Sequence, residues 1–402
     1  MDHPGQFQRT PALGSQPTAQ RRATGEGRSG EGRRTRSKEN LTPRSSPLAK
    51  SPLTGRSVAA ALLAGQALFA QGSTVYVQGV VLEKGTLAPL QHSMVTLQPV
   101  GRQTFTDDQG RFTLVAVPPG RHHLHAAHLG YAPVDMDFVV RTDSAPARIR
   151  VELDRISLQL GTVRVTAFAR CLAPGPPDPT RQPEFALVFG QLALNAEQSR
   201  FVSDSFPYAY RLQRVQRQIR GDSVVDVLAV DTLFVQTDRE RWRYRPGNVV
   251  TGSIFSRSRA MYLPTLEDFA SAEFERNHCF SFGGRDDSGD GALVRIDFRA
   301  ADRIHAPDVN GSFWLDAGSY QIRRAELFLS RMPGGSTKLA AVRVTTEFRE
   351  IQRGILAFSD VHAVRTFVPS RSLLDAVEAT EDQLLLDFSW IRAAPGGASP
   401  KP

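Results

Sequence analysis

Four histidines, His122, His123, His125 and His128, crowd into one short stretch. In a β-strand, side chains alternate, which puts His123 and His125 on one face and His122 with Leu124 on the other. Two imidazoles at i, i+2, with His128 as a remote third ligand, would suit a transition metal. Ordinary surface histidines are the competing reading, and the residues alone leave both open. The chain has two cysteines, Cys171 and Cys279. Two thiols without neighbouring partners make a poor metal site, and in an oxidising compartment such a pair is expected to form one disulfide. The run Gly-Gly-Arg-Asp-Asp-Ser-Gly-Asp-Gly at 283–291 has the composition of a calcium loop. It lacks that loop's spacing and closing Glu, so it reads as an exposed loop carrying Asp286, Asp287 and Asp290 to water. Ser/His/Asp, Cys/His and paired-carboxylate arrangements are missing, as are phosphate-binding glycine loops and dinucleotide fingerprints. No catalytic residue and no cofactor are therefore predicted, and the chain reads as a non-enzyme.

Charge excludes a further class. The chain carries a net charge of +8, but residues 1–56 hold eleven Lys/Arg against four acids and so account for +7 of it. The remainder is nearly neutral and lacks the basic footprint that nucleic acid requires. Residues 1–56 have one aromatic, Phe7, and abundant Arg, Gly, Ser and Pro. They cannot bury enough apolar area to offset ordering entropy, so a disordered basic leader is expected. After Arg56 comes the apolar run Ser57–Ala70. A basic flank, a short apolar stretch and a terminal small residue form a secretory signal pattern, and the run is too short for the ~20 apolar residues of a membrane-spanning helix. Cleavage after Ala70 is expected, despite Leu68 where a small residue is preferred. The leader is long for a signal peptide, so translation is expected to start downstream of about residue 45. With no Cys after the run, no lipid anchor is predicted.

From Val75 the pattern is of short alternating strands: Val75–Leu82, Ser93–Gln98, Thr104–Thr106, Arg111–Val115, His122–Ala126, Phe138–Val140 and Ile149–Leu153. Turn residues separate them at Asp107–Gly110 and Val117–Gly120. This spacing predicts a sandwich of seven strands. The stretch Thr106-Asp-Asp-Gln-Gly-Arg-Phe-Thr-Leu-Val-Ala-Val-Pro-Pro-Gly120, followed by Gly130-Tyr131, resembles the carboxypeptidase-regulatory-like, or transthyretin-like (prealbumin-like), domain. The resemblance spans residues 74–157 and implies structural roles. Asp107 and Gly110 make the turn, Phe112 fills the core, and Pro119, Gly120, Gly130 and Tyr131 are further turn and core positions. It implies no peptidase chemistry, since zinc carboxypeptidases need His-x-x-Glu and no histidine here has a Glu three residues on. The segment Leu160–Phe168 resembles the energy-coupling box that follows such domains in outer-membrane receptors. It reads as that box of an accessory module for outer-membrane transport, or as a last strand or linker.

A Pro-rich linker at 173–179 precedes a helical pattern from Pro183, with Phe185, Val188, Phe189, Leu192 and Ala196 on one stripe. Tyr208–Ile219 and Ser223–Asp231 form a hairpin around Gly221-Asp222. A short helix starts at Thr265 with a capping-box-like pattern. The last third reads as a meander of strands from Ala292 to Trp390, with Leu339–Glu350 pairing with Leu356–Val368 across Arg353-Gly354. Long strands joined by tight turns predict a curved antiparallel sheet with one or two helices on its concave face. Gly311–Glu326 resembles the strand–turn–strand unit of periplasmic lipoprotein-carrier half-barrels. The whole chain resembles envelope proteins that join a regulatory-like sandwich to such a sheet; Cys171 and His278-Cys279-Phe280 match positions that recur in that group.

The fold expected is therefore mainly β: a disordered leader at 1–56, a signal-peptide apolar region at 57–70, a sandwich at 74–157, a linker at 158–183, an antiparallel sheet domain with helices at 184–392 and a disordered tail at 393–402. The function expected is that of a non-catalytic exported protein, periplasmic or outer-membrane-associated and without a transmembrane helix in its mature part. It would bind or scaffold an envelope protein or a lipophilic ligand, the latter on the concave face of the sheet. Carbohydrate or peptidoglycan binding by the sandwich is the alternative, with Tyr76 and Tyr131 as the candidate aromatics.

Overall fold

A computed structural model of the chain describes residues 75–141, 147–157, 170–239, 242–251, 260–269, 271–287, 291–334, 339–352, 355–368 and 377–392. The expectations for the leader, the apolar run, Leu160–Phe168, Arg353-Gly354, Asp290 and the tail lie outside these residues.

Seven strands build the first domain: β1 (Val75–Glu83), β2 (Met94–Gln98), β3 (Arg102–Phe105), β4 (Arg111–Val117), β5 (Gly120–Ala127), β6 (Val134–Val140) and β7 (Ala147–Leu153). They form two sheets, ordered β4-β1-β7 and β3-β2-β5-β6. Alternation sets which side chains meet: in β4, Phe112 and Leu114 are buried while Arg111 and Thr113 face water. Val77, Val81, Val95, Leu97, Leu124 and Leu153 lose all their exposure in the core, each worth about 1.5–3 kcal/mol. Phe112 lies directly over Gly79, where a Cβ would come within 2.4 Å of the ring. The turn into β4 is an Asx-turn: Asp107 Oδ1 accepts from the N–H groups of Gln109 and Arg111 at 2.9 and 2.8 Å. Gly110 closes it at φ +67°, with no room for a Cβ against the Val81 carbonyl.

The second domain opens with α1 (Pro183–Ser205). Pro183 starts it without wasting an N–H, and Glu184 faces the positive helix end. Then follow β8 (Tyr208–Arg220), β9 (Ser223–Gln236), β10 (Val250–Thr251), β11 (Ala260–Met261), α2 (Leu266–Phe269), α3 (Ala272–Glu275), β12 (His278–Asp286), β13 (Leu293–Ala300), β14 (Val309–Asp316), β15 (Ile322–Leu329), β16 (Leu339–Gln352), β17 (Ile355–Phe367) and β18 (Val377–Trp390). Nine of these strands form one antiparallel sheet in the order β12-β13-β14-β15-β16-β17-β18-β8-β9. The hairpin β8–β9 is first in sequence yet lies at the far edge, zipped to the last strand along Tyr208–Arg220. Register shifts at Glu347/Phe348 in β16, Leu385/Asp387 in β18 and Gln216/Arg217 in β8 mark bulges, which add local twist and curve the sheet.

One face of that sheet packs against the helices. Val188 and Leu192 of α1, with Phe269 and Phe274, share a core with Ile296, Phe313, Ile322 and Val344. The opposite side of α1 is buried too. Leu194 packs with Met94 and Ala127 of the sandwich, and the Phe201 ring meets Phe105 edge-on at 4.9 Å. A helix covered on both sides has no reason to keep a solvent-facing polar stripe. Of its buried polar residues, Gln191 binds the sandwich and Asn195 binds the sheet. Gln191 Oε1 accepts from Gly130 N–H at 2.7 Å while its Nε2 donates to the Tyr131 carbonyl. Asn195 Nδ2 donates to the Tyr320 carbonyl at 2.9 Å, and its Oδ1 accepts from Ile322 N–H at 3.0 Å.

Candidate ligand-binding site

A cavity of about 200 Å³ lies between the segment Tyr262–Phe269 and the face of the sheet that the helices cover. Strand register explains its floor. Leu327 pairs with Val344, Thr346 with Val361, Val361 with Gln383, and Phe388 with Tyr210, so a continuous row of side chains faces inward from β15 to β8. Aromatic contacts wall it: Tyr208 and Phe388 at 4.8 Å, Tyr210 and Phe358 edge-to-face at 5.3 Å. The roof starts with half of a capping box: the N–H and hydroxyl of Thr265 both donate to Asp268 Oδ2 at 2.9 and 3.0 Å, while Asp268 N–H donates to the Thr265 carbonyl. Phe269 drops from that turn onto Phe313 at 4.4 Å. The floor turns polar at Gln383, whose amide donates to Glu381. Glu381 is 1% exposed and also accepts from Gln216 at 2.6 Å, which satisfies a buried carboxylate next to apolar walls. An apolar space with a few fixed polar groups at its margin holds a ligand by shape and desolvation. A cavity of ~150 Å³ already accepts a benzene-sized molecule, whereas drug-sized ligands occupy ~300–1,000 Å³. This one therefore fits a single slender apolar group.

The histidines lie elsewhere, and they divide. His123 and His125 point outward from β5 onto the carboxylates of β6. His123 contacts Asp137 at 2.9 Å and Asp135 at 3.0 Å, and His125 contacts Asp135 at 2.8 Å. Asp137, then Asp135, raise the His123 pKa above its usual value. His122 is buried, its Nε2 on the Pro118 carbonyl at 2.8 Å. His128 does not join its outward neighbours as a third ligand. Strand parity turns it toward the core, where its Nδ1 meets Ser93 Oγ at 3.1 Å and its ring meets Tyr131. The Ser93 hydroxyl donates to the Leu90 carbonyl, leaving its lone pair to accept from His128 Nδ1–H. Burial, with repulsion from His92, pushes the His128 pKa down to about 4. Among the described residues no group of three or more His, Cys, Asp or Glu is arranged to hold a metal.

Cys171 and Cys279 are joined as a disulfide, with Cα atoms 5.6 Å apart. It ties the segment before α1 to β12, beside a backbone bond from Gly175 N–H to the His278 carbonyl. Asp302 secures the same point. It accepts from Arg170 and from Cys171 N–H, and Arg170 holds its carboxyl below the usual range. Next to Cys279, His278 is fully buried, its ring nitrogens on the carbonyls of Phe274 and Val309 at 2.9 and 3.1 Å. Burial pushes its pKa down, opposed by those carbonyls and by Asp308. Asp308 itself accepts from the Tyr244 hydroxyl and Gly247 N–H. This network sits in the core and locks α3, β12 and β14 together.

Of the sandwich positions, Asp107, Gly110 and Phe112 form the turn and core described above. Pro119 and Gly120 sit exposed at the start of β5, Gly120 at φ +138°. Gly130, at φ +85°, faces the backbone of Gly318 and Ser319. Tyr131 is buried, its hydroxyl on Glu83 at 3.1 Å. Of the two aromatics considered for a glycan platform, Tyr76 is exposed and Tyr131 is not. Asp286 and Asp287 are exposed.

Residues 76–154 match the carboxypeptidase regulatory-like domain family. No curated protein matches the chain. Solved structures similar to it include a DUF1329 family protein from Desulfovibrio piger, at 11% identity, covering 54% of this chain and 94% of that one with a TM-score of 0.30. A putative outer membrane lipoprotein-sorting protein domain from Vibrio parahaemolyticus is similar at 10% identity, covering 50% and 95%, TM-score 0.26. A LolA superfamily protein from Nitrosomonas europaea is similar at 14% identity, covering 51% and 94%, TM-score 0.25. At these scores the likenesses carry no functional argument. No helix among the described residues is long and apolar enough to cross a membrane. The chain thus carries a carboxypeptidase regulatory-like sandwich at 76–154, joined through α1 to a nine-stranded curved sheet.

Proposed function

We propose that this protein is an exported, non-catalytic binding protein of the cell envelope, and that the curved sheet holds the apolar part of a lipophilic ligand. The observation that carries the reading is the cavity roofed by Tyr262–Phe269, with its apolar and aromatic walls. Its volume favours one apolar chain over a bulky or multi-chain lipid. The regulatory-like sandwich, clamped to α1, serves as a rigid support rather than as the site. The neutral fluorescent dye Nile red tests this, together with mass spectrometry of organic extracts of the purified protein. Delipidated protein is expected to take up dye. Val361→Trp and Thr346→Trp, at half-buried positions on the cavity floor, are expected to reduce uptake at least tenfold while leaving the unfolding midpoint near that of the parent. Dye binding that both variants leave unchanged, or no uptake and no recovered lipid, refutes the reading.

A further inference from the structure

A second recess adjoins the apolar cavity and shares Thr237 and Arg239 with it as lining. It is open, about 710 Å³, and polar. Arg239, Arg243, Arg245 and Arg392 line it, against two carboxylates, Asp204 and Asp238. All four arginines are exposed. Arg239 Nε donates to the Gln236 side chain, and among the described residues none of the four is paired with a carboxylate. At the seam between the two spaces Trp242 stacks on Tyr262, ring centres 5.7 Å apart and 15° from parallel. Trp242 lines the polar recess and Tyr262 the apolar cavity. Stacked Trp and Tyr suit a boundary with one side dry and the other wet.

Resting on the lipid-binding reading, we infer that the ligand is an anionic, single-chain amphiphile. Its tail enters the apolar cavity, and its carboxylate, phosphate or sulfate head is held by the arginines around Arg239. Guanidinium groups match such anions through paired N–H donors. With four guanidinium groups against two carboxylates the recess is net positive, which repels a cationic head and gives an uncharged one no ion pair. The small cavity excludes a second tail, so charge and volume select the same class.

Calorimetric titration of the full-length protein with laurate, dodecyl phosphate, dodecanol and dodecylamine, all of one chain length, tests this. Laurate and dodecyl phosphate are expected to bind at least about tenfold more tightly than dodecanol, and dodecylamine more weakly than dodecanol. The ratio between the two anions identifies the headgroup. In Arg239→Gln/Arg243→Gln the anions' advantage is expected to vanish while dodecanol binding persists; Arg245→Gln/Arg392→Gln is a second variant with the same expected direction. Raised salt should erode the anion advantage alone. Equal binding of laurate and dodecanol, or an advantage that survives both double variants, overturns the headgroup inference and leaves the lipophilic cavity intact. Failure of all four probes overturns both.

Discussion

His128 offers a sharp test of how the segment after β5 is packed. Its ring is packed inward against Tyr131 and bonded to Ser93, and burial pushes its pKa to about 4 from 6.5. The native protein therefore keeps this imidazole neutral where the unfolded chain has already taken up a proton. A histidine with a depressed folded-state pKa contributes its full stability above about pH 6.5 and loses it as the pH falls toward 4. Each pH unit in that window is worth 1.36 kcal/mol, so lowering the pH from about 7.5 to about 4.5 should cost about 2.5 kcal/mol from this residue alone. His128→Gln does not titrate and retains a side-chain N–H for Ser93. Urea unfolding of both proteins at the two pH values isolates the effect. Carboxylates titrate in both and cancel, as does His123, whose raised pKa acts in the opposite sense. The parent is expected to lose about 2–3 kcal/mol more than the variant across the interval. Losses that agree within about 0.5 kcal/mol would show that His128 is solvated, and would refute the inward packing of the segment after β5.

Two other residue sets carry quantitative expectations. The Cys171–Cys279 bridge spans a sequence separation of 108, so the chain-entropy relation gives about 5 kcal/mol of stabilisation; Cys171→Ser/Cys279→Ser and the reduced parent should share a urea midpoint lowered accordingly, and an unchanged midpoint would count against a bridged native state. Asn195→Ala strips the buried Ile322 N–H and Tyr320 carbonyl of their side-chain partner, a loss of about 2–4 kcal/mol in calorimetric or urea stability, whereas a loss under about 0.5 kcal/mol would mean that water or backbone replaces the amide.

Local patterns carried much of the fold. Period-two alternation around Phe112 and Leu114, and the Asp107–Gly110 turn, made the sandwich strands legible, because each strand's buried face follows from its own residues. The hairpin around Gly221 and the Thr265–Asp268 cap were legible for the same reason: their hydrogen bonds join neighbours in sequence. The histidines show the limit. The sequence offered His128 as a remote partner for His123 and His125, but parity at β5 turns it to the other side, and the carboxylates that meet the outward pair come from β6.

By itself, the sequence determined the mainly β architecture, the regulatory-like sandwich, the helix at Pro183 and the absence of familiar catalytic motifs, since these rest on residue type and short-range spacing. Tertiary structure alone decided which residues surround the cavity. Its floor joins Leu327, Val344, Val361 and Phe388, on four consecutive strands, to Tyr210, which arrives only because β8 returns to pair with β18. It also decided that α1 is buried on both sides, with Gln191 bonded to the sandwich and Asn195 to the sheet. Long-range pairing brings such residues together, and no local periodicity records which distant strand will be the partner.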